Sequence, residues 1–192
     1  MGVAWDHGSL DVNRGITFYI QVEGRLRSGV LNAVHQAIED WEARIRDLQN
    51  RHMEAYDGAY DSFGFVEISD ASADITFIIK KNTGKTALGE TVLSWSDGVI
   101  ISAEITMATQ NVRGRSLDLA DVRNIAAHEV GHALGLGHSD NPDDLMYASY
   151  DFIETGTLNS PSQCDLEAIY TIYGTNGFLA YEKVTISYTP CT

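Results

Sequence analysis

With 192 residues, 44% of them hydrophobic, this chain can bury one substantial core and little beyond it. Its formal charge of −14, with only four lysines, excludes the basic surface that nucleic acid or an anionic lipid face requires. No run of about 18 apolar residues occurs, which excludes a membrane-spanning helix.

The opening, Met1 to Asp6, has neither the basic nor the apolar region of a signal peptide, and Asp6 stands where an acylation site carries Ser or Thr. Ile16 to Val22 alternates and is rich in β-branched and aromatic residues, which predicts a strand. From Ser28, a suitable N-cap, to about Asn50, the residues Val30, Leu31, Val34, Ile38, Trp41, Ile45 and Leu48 recur at helical spacing. Phe63 to Ile68 and Ile75 to Ile79 predict two more strands, and the strand–helix–strand order predicts a largely parallel sheet. Lys80 to Lys85 reads as a polar loop, Thr86 to Trp95 as an edge strand, and Gly98 to Met107 as a long fifth strand. Asp118 is placed to cap a following helix, with Asp121 adding favourable charge in its first turn. Pro161 suits the first turn of a last helix ending near Gly174. Beyond it, Val184, Ile186 and Tyr188 alternate as in a strand.

One stretch carries chemistry. His128 and His132 are four apart, so a helix places both on one face, where two imidazoles can share a Zn²⁺ at about 2.0–2.1 Å. Glu129, beside the first histidine, is placed to take a proton from water on that metal. Gly135 can end the helix in the left-handed conformation, so that the reversing chain delivers His138 as a third ligand. Three nitrogens leave a fourth position for water, which is the pattern of a catalytic site. Met146 follows eight residues later in a tight turn.

The run from His128 to His138 followed by Met146 resembles the metzincin zinc endopeptidases, and Ser139, after the third histidine, resembles the matrixin branch. Ile16 to Ile20, Ala37 to Trp41, Ala73-Asp74-Ile75, and Ser162 to Leu166 leading to Tyr173-Gly174 agree more weakly, so the similarity touches most of residues 14–174. The resemblance implies an α+β, zincin-like fold with a mostly parallel, twisted five-stranded sheet, an antiparallel edge strand and three main helices. Residues 1–174 would form the catalytic domain, and 175–192 a tail packed on it. It also implies a monomeric endopeptidase with one catalytic Zn²⁺ on His128, His132 and His138, Glu129 as general base, and Met146 as a sulfur floor beneath the metal.

The substrate, a protein or peptide, would lie extended along the edge strand at Leu88 and Gly89. The pocket wall would follow the methionine turn through Ala148 and Tyr150, with Ala148 in place of the usual proline. Asn124, one turn before His128, would reach the pocket floor or else satisfy backbone groups. The loop Lys80 to Lys85 lacks the His and Asp that hold a second zinc in many relatives. Ca²⁺ is a candidate ion at Asp57, Asp61, Asp70 or Asp74, but none forms a recognisable calcium-loop signature and turn and cap roles suit these residues better. His7, His35 and His52 lack ligand spacing.

Matrixins are usually secreted as zymogens with an inhibitory cysteine ahead of the domain, and no cysteine precedes Cys164. Secretion is therefore expected with the signal and pro-segment absent from this chain, a cytoplasmic enzyme being the alternative. Cys164 and Cys191 form one disulfide or remain two buried thiols. Two rival readings stand beside the endopeptidase: a catalytically silent zinc module that holds peptides, and a narrow-specificity processing metzincin of another branch.

Overall fold

A computed structural model describes residues 4–5, 15–51, 63–148 and 158–173. In chain order the elements are β1 (Ala4–Trp5), β2 (Ile16–Val22), α1 (Val30–Arg51), β3 (Phe65–Glu67), β4 (Ile75–Lys80), β5 (Gly89–Ser96), β6 (Val99–Ala108), α2 (Leu119–Ala133) and α3 (Gln163–Tyr173). Ile75, Phe77 and Ile79 of β4 are buried, whereas Thr76, Ile78 and Lys80 between them are only partly so. One sheet face is thus packed and the other half open, which is why these parallel strands alternate in sequence. The central order is β6-β4-β2-β3, all parallel, with β1 parallel to Val99–Ile100 of β6. Strand β5 alone runs antiparallel, paired with β6 from Gly89↔Met107 to Ser96↔Val99.

The packed face is covered by α1 and α2. Val30, Val34, Ile38, Trp41 and Ile45 are all buried on one stripe of α1, and each contributes about 1.5–3 kcal/mol by leaving water. Trp41 Nε1 donates to the Ala127 carbonyl of α2 at 2.7 Å, and Arg123 pairs with Asp40 at 2.5 Å. These two links fix α2 against α1. Among the described residues no helix is long and apolar enough to cross a membrane.

The α+β class, the three helices and the antiparallel edge strand agree with the sequence expectation, and the two-residue β1 adds a sixth strand to the five expected. Several boundaries differ. Helix α1 starts at Val30, with Gly29 and not Ser28 in the capping place: the Gly29 carbonyl accepts from Ala33 N at 2.9 Å. Its φ is +87, in the left-handed region that favours glycine. Leu31 falls off the apolar stripe and is 42% exposed. Strand β3 is three residues, shorter than Phe63 to Ile68 suggested. Pro161 precedes α3, which is capped instead by Ser162: Asp165 N donates to Ser162 Oγ at 3.0 Å while Ser162 N donates to Asp165 Oδ2 at 2.7 Å. The tail 175–192 lies outside the described residues.

Candidate metal centre and cleft

Helix α2 is built to hold its last turn still. At its start the Asp118 side chain accepts from Asp121 N at 2.8 Å, as a cap should. At its end Leu136 N donates to Gly131 O at 3.0 Å and Gly135 N donates to His132 O at 2.9 Å, with Gly135 at φ +91. That pair of bonds is a Schellman turn. Two further carbonyls of the last turn are taken by aromatic side chains: Trp5 Nε1 donates to Ala133 O at 2.8 Å, and the Tyr173 hydroxyl donates to Leu134 O at 2.7 Å. Burial pushes the Tyr173 hydroxyl pKa up, so it remains a donor.

The turn brings His138 back beside His128 and His132. One nitrogen from each of the three lies within 4.8 Å of the others, the only such group of three or more metal-ligating side chains among the described residues. His128 Nδ1 sits 2.8 Å from the Leu145 carbonyl, and His132 Nδ1 sits 2.8 Å from the Leu136 carbonyl. A carbonyl only accepts, so each Nδ1 carries the proton and each Nε2 keeps its lone pair. His132 Nε2 and His138 Nε2 are 3.1 Å apart. Two nitrogens at tetrahedral angles on one zinc would stand about 3.3 Å apart, so the donor set fits that ion. Burial, reinforced by the neighbouring His132, holds His128 down at about 4, and burial likewise lowers His132. Both rings are therefore neutral at pH 7, as ligation requires.

Glu129 lies 2% exposed beside His128. Burial pushes its carboxyl up to about 7, the Thr91 hydroxyl opposes that, and the charge of Glu90 adds to it. Thr91 Oγ1 donates to Glu129 Oε2 at 2.6 Å, and residue 89 is close enough that any Cβ there would collide with Oε1. Leu88 and Gly89 are both buried at the start of β5, with the Leu88 carbonyl accepting from Ala108 N at 2.7 Å.

The loop from His138 to the methionine is clipped by Ser139, whose Oγ donates to Asp144 Oδ2 at 2.6 Å and whose N donates to Met146 O at 2.7 Å. Asp165 then reaches across from α3 and accepts from Leu145 N at 3.1 Å and Met146 N at 3.3 Å. Burial raises the Asp165 carboxyl, against the lowering effect of its Ser162 and Leu145 bonds. The sequence places Thr91 on the edge strand, Asp144 in the methionine turn and Asp165 in the run Ser162 to Leu166, but it does not reveal their contacts with Glu129, Ser139 and the Leu145–Met146 backbone. Only Asp165 left a local trace, in the Ser162-x-x-Asp165 capping pattern. Met146 is buried against Gly131, where a Cβ would collide with its sulfur.

The remaining expected residues scatter. Asn124 is buried, and its Oδ1 accepts from Asn159 N at 2.9 Å. Ala148 is exposed at the end of the methionine turn, and Tyr150 lies outside the described residues. Asp74 accepts from Thr17 N at 2.9 Å and Asp70 from Ser72 N at 2.8 Å, both in turn and strand service; Asp57 and Asp61 lie outside the described residues. His35 pairs with Glu67 at 3.1 Å, and His7 and His52 lie outside the described residues. Cys164 is disulfide-bonded, and Cys191 lies outside the described residues.

A family model described as matrixin matches residues 11–174 of this chain. Neutrophil collagenase of Homo sapiens is 52% identical over 50 residues, 26% of this chain and 10% of that protein. Stromelysin-2 of Rattus norvegicus is 48% identical over 50 residues, with the same two shares. Matrix metalloproteinase-16 of Homo sapiens is 41% identical over 69 residues, 36% of this chain and 10% of that protein. The chain thus spans about a tenth of the length of the curated relatives it matches.

Proposed function

The chain belongs to the matrixin family, and from that premise we propose that it is a zinc-dependent endopeptidase that hydrolyses internal peptide bonds of proteins or peptides. The observation that carries this reading is the juxtaposition of a buried carboxylate, Glu129, with three converging histidines, two of them with Nε2 lone pairs set by their Nδ1 bonds. His128, His132 and His138 would hold the ion, with Leu145 O and Leu136 O fixing the first two rings. An ion held there would supply Lewis acidity, activating water near neutral pH and polarising the scissile carbonyl.

Glu129, buried beside His128, would accept a proton from the attacking water and return it to the leaving amine. Burial raises this carboxyl to about 7, and a cation held by the histidines would favour its ionised form. The substrate lies extended on the open edge of β5, which pairs only with β6 among the described residues. Main-chain hydrogen bonds along that edge would select an extended peptide, and side-chain choice would fall to the chain that follows the methionine turn at Ala148. The disulfide at Cys164 supports an oxidising, extracellular setting, and a monomer meets all these needs.

The test is a metal-replete Glu129→Ala variant. It should fold, keep its zinc and lose about 10²–10⁴-fold in peptide turnover. Near-parental turnover would refute the assignment.

A further inference from the structure

Glu129 projects from α2, yet no group of that helix bonds its carboxylate. Among the described residues the hydrogen-bond donor it meets is Thr91 of β5, 38 positions away in sequence, at 2.6 Å from Oε2. The same hydroxyl lies 3.1 Å from the Glu129 carbonyl oxygen, so it sits astride the side chain and its own backbone. Two residues earlier on the same side of the strand, Gly89 leaves room for Oε1, which no side chain larger than hydrogen would. A glutamate has three rotatable bonds, and a buried one without a partner would sample several carboxylate positions. One donor on Oε2 and the close approach of Oε1 to Gly89 restrict that freedom.

We propose that Thr91 is the positioning residue of the general base, its hydroxyl fixing Glu129 with Oε2 engaged and Oε1 left to take the proton. This rests on the reading of Glu129 as the base. It also gives β5 two tasks: its outer edge receives the peptide, and its inner face sets the angle of proton transfer. A group that acts through Glu129 alone influences the chemical step and leaves peptide binding as it was, so its loss falls on kcat and not on KM.

The test uses the zinc-loaded protein with Thr91→Val, Thr91→Ser and Glu129→Gln, assayed on one fluorogenic peptide. Thr91→Val removes the donor with little change of shape. Its kcat should fall about 10–100-fold, the usual effect of losing a partner that orients an active-site group. KM should stay within about twofold. Zinc content and Tm should match the parent, and a crystal structure should show the Glu129 carboxylate turned away from β5. Thr91→Ser restores a hydroxyl and should recover most of the lost kcat. Parental kcat in Thr91→Val beside an inactive Glu129→Gln overturns the role of Thr91 and leaves the base in place. A Thr91→Ser variant as slow as Thr91→Val, or a loss confined to KM, overturns it as well. Near-parental turnover in Glu129→Gln overturns the base itself, whatever Thr91 does.

Discussion

Burial acts in opposite senses on two adjacent residues of α2. It disfavours the charged form of each, so the His128 imidazolium is lost at about 4 in place of 6.5, while the Glu129 carboxyl keeps its proton to about 7 in place of 4.5. Between 4 and 6.5 the unfolded chain carries a proton on this histidine that the folded chain lacks, so stability grows as pH rises. Between 4.5 and 7 the folded chain carries one on Glu129 that the unfolded chain lacks, so stability falls as pH rises. In the chelated protein, Glu129→Gln removes the second effect alone. Its Tm relative to the parent should therefore climb from pH 4.5 to 7 and then level off, as thermal melts of both proteins across that interval would show. A constant difference would mean that Glu129 is not held as the acid in the metal-free fold. These residues were legible because their spacing is local: four positions on a helix, a neighbour, and a glycine turn. Thr91 and Asp165 were not, since they reach their partners across 38 and about 20 positions through contacts that only the fold creates. Asn124 shows the same limit, readable as a polar residue on an inward stripe, with its partner Asn159 lying 35 positions on.

Whole elements were legible where one face is buried and the other wet, as in β2, β4 and α1. Their ends were not: Gly29, at φ +87, caps α1 in a left-handed turn that the apolar spacing does not mark, and Ser162, not Pro161, opens α3 through its exchange with Asp165. The end of α2 is the one boundary that bears directly on chemistry. Gly135, at φ +91, turns the chain so that His138 returns to the other two rings, and Trp5 and Tyr173 bind the carbonyls the helix leaves over. Gly135→Ala should cost about 1–2 kcal/mol of stability, because a side chain in the left-handed region strains the backbone. It should also weaken zinc binding, since the strain is relieved by moving His138. Gly137 has no atom within 4 Å of its missing Cβ and no left-handed φ, so Gly137→Ala serves as the control and should change both by much less. Denaturant melts with a competitive zinc titration measure the two effects. Equal losses in the two variants would remove Gly135 from its place in the site.

At the scale of the molecule, the strand–helix–strand order of β2, α1 and β3 was enough to give a largely parallel sheet, because a crossover through a helix leaves little choice, while the antiparallel edge strand came from the family resemblance. The tail after Gly174 was read from alternation alone and lies outside the described residues, as do His7, His52, Asp57 and Asp61. Metal content follows from what remains. A catalytic zinc needs three ligands and an open place, while a structural one needs four closed ligands drawn mainly from His and Cys. Among the described residues one convergent group exists, His128, His132 and His138. His35 faces Glu67, Cys164 is in a disulfide, and the loop from Lys80 to Lys85 offers neither histidine nor carboxylate. Exhaustive dialysis should therefore leave about one zinc per chain, the three-ligand catalytic number. That content should fall towards zero in His128→Ala, because two histidines no longer close on the ion. Because the ion binds the folded chain alone, free zinc at 100 times its Kd should raise stability by about 2.7 kcal/mol over the chelated protein. Calorimetry with and without chelator reads that difference directly. Two firmly held equivalents, or a Tm indifferent to chelator in a protein shown to lose its zinc, would mean that distant residues build a second centre or that the three histidines do not hold the first.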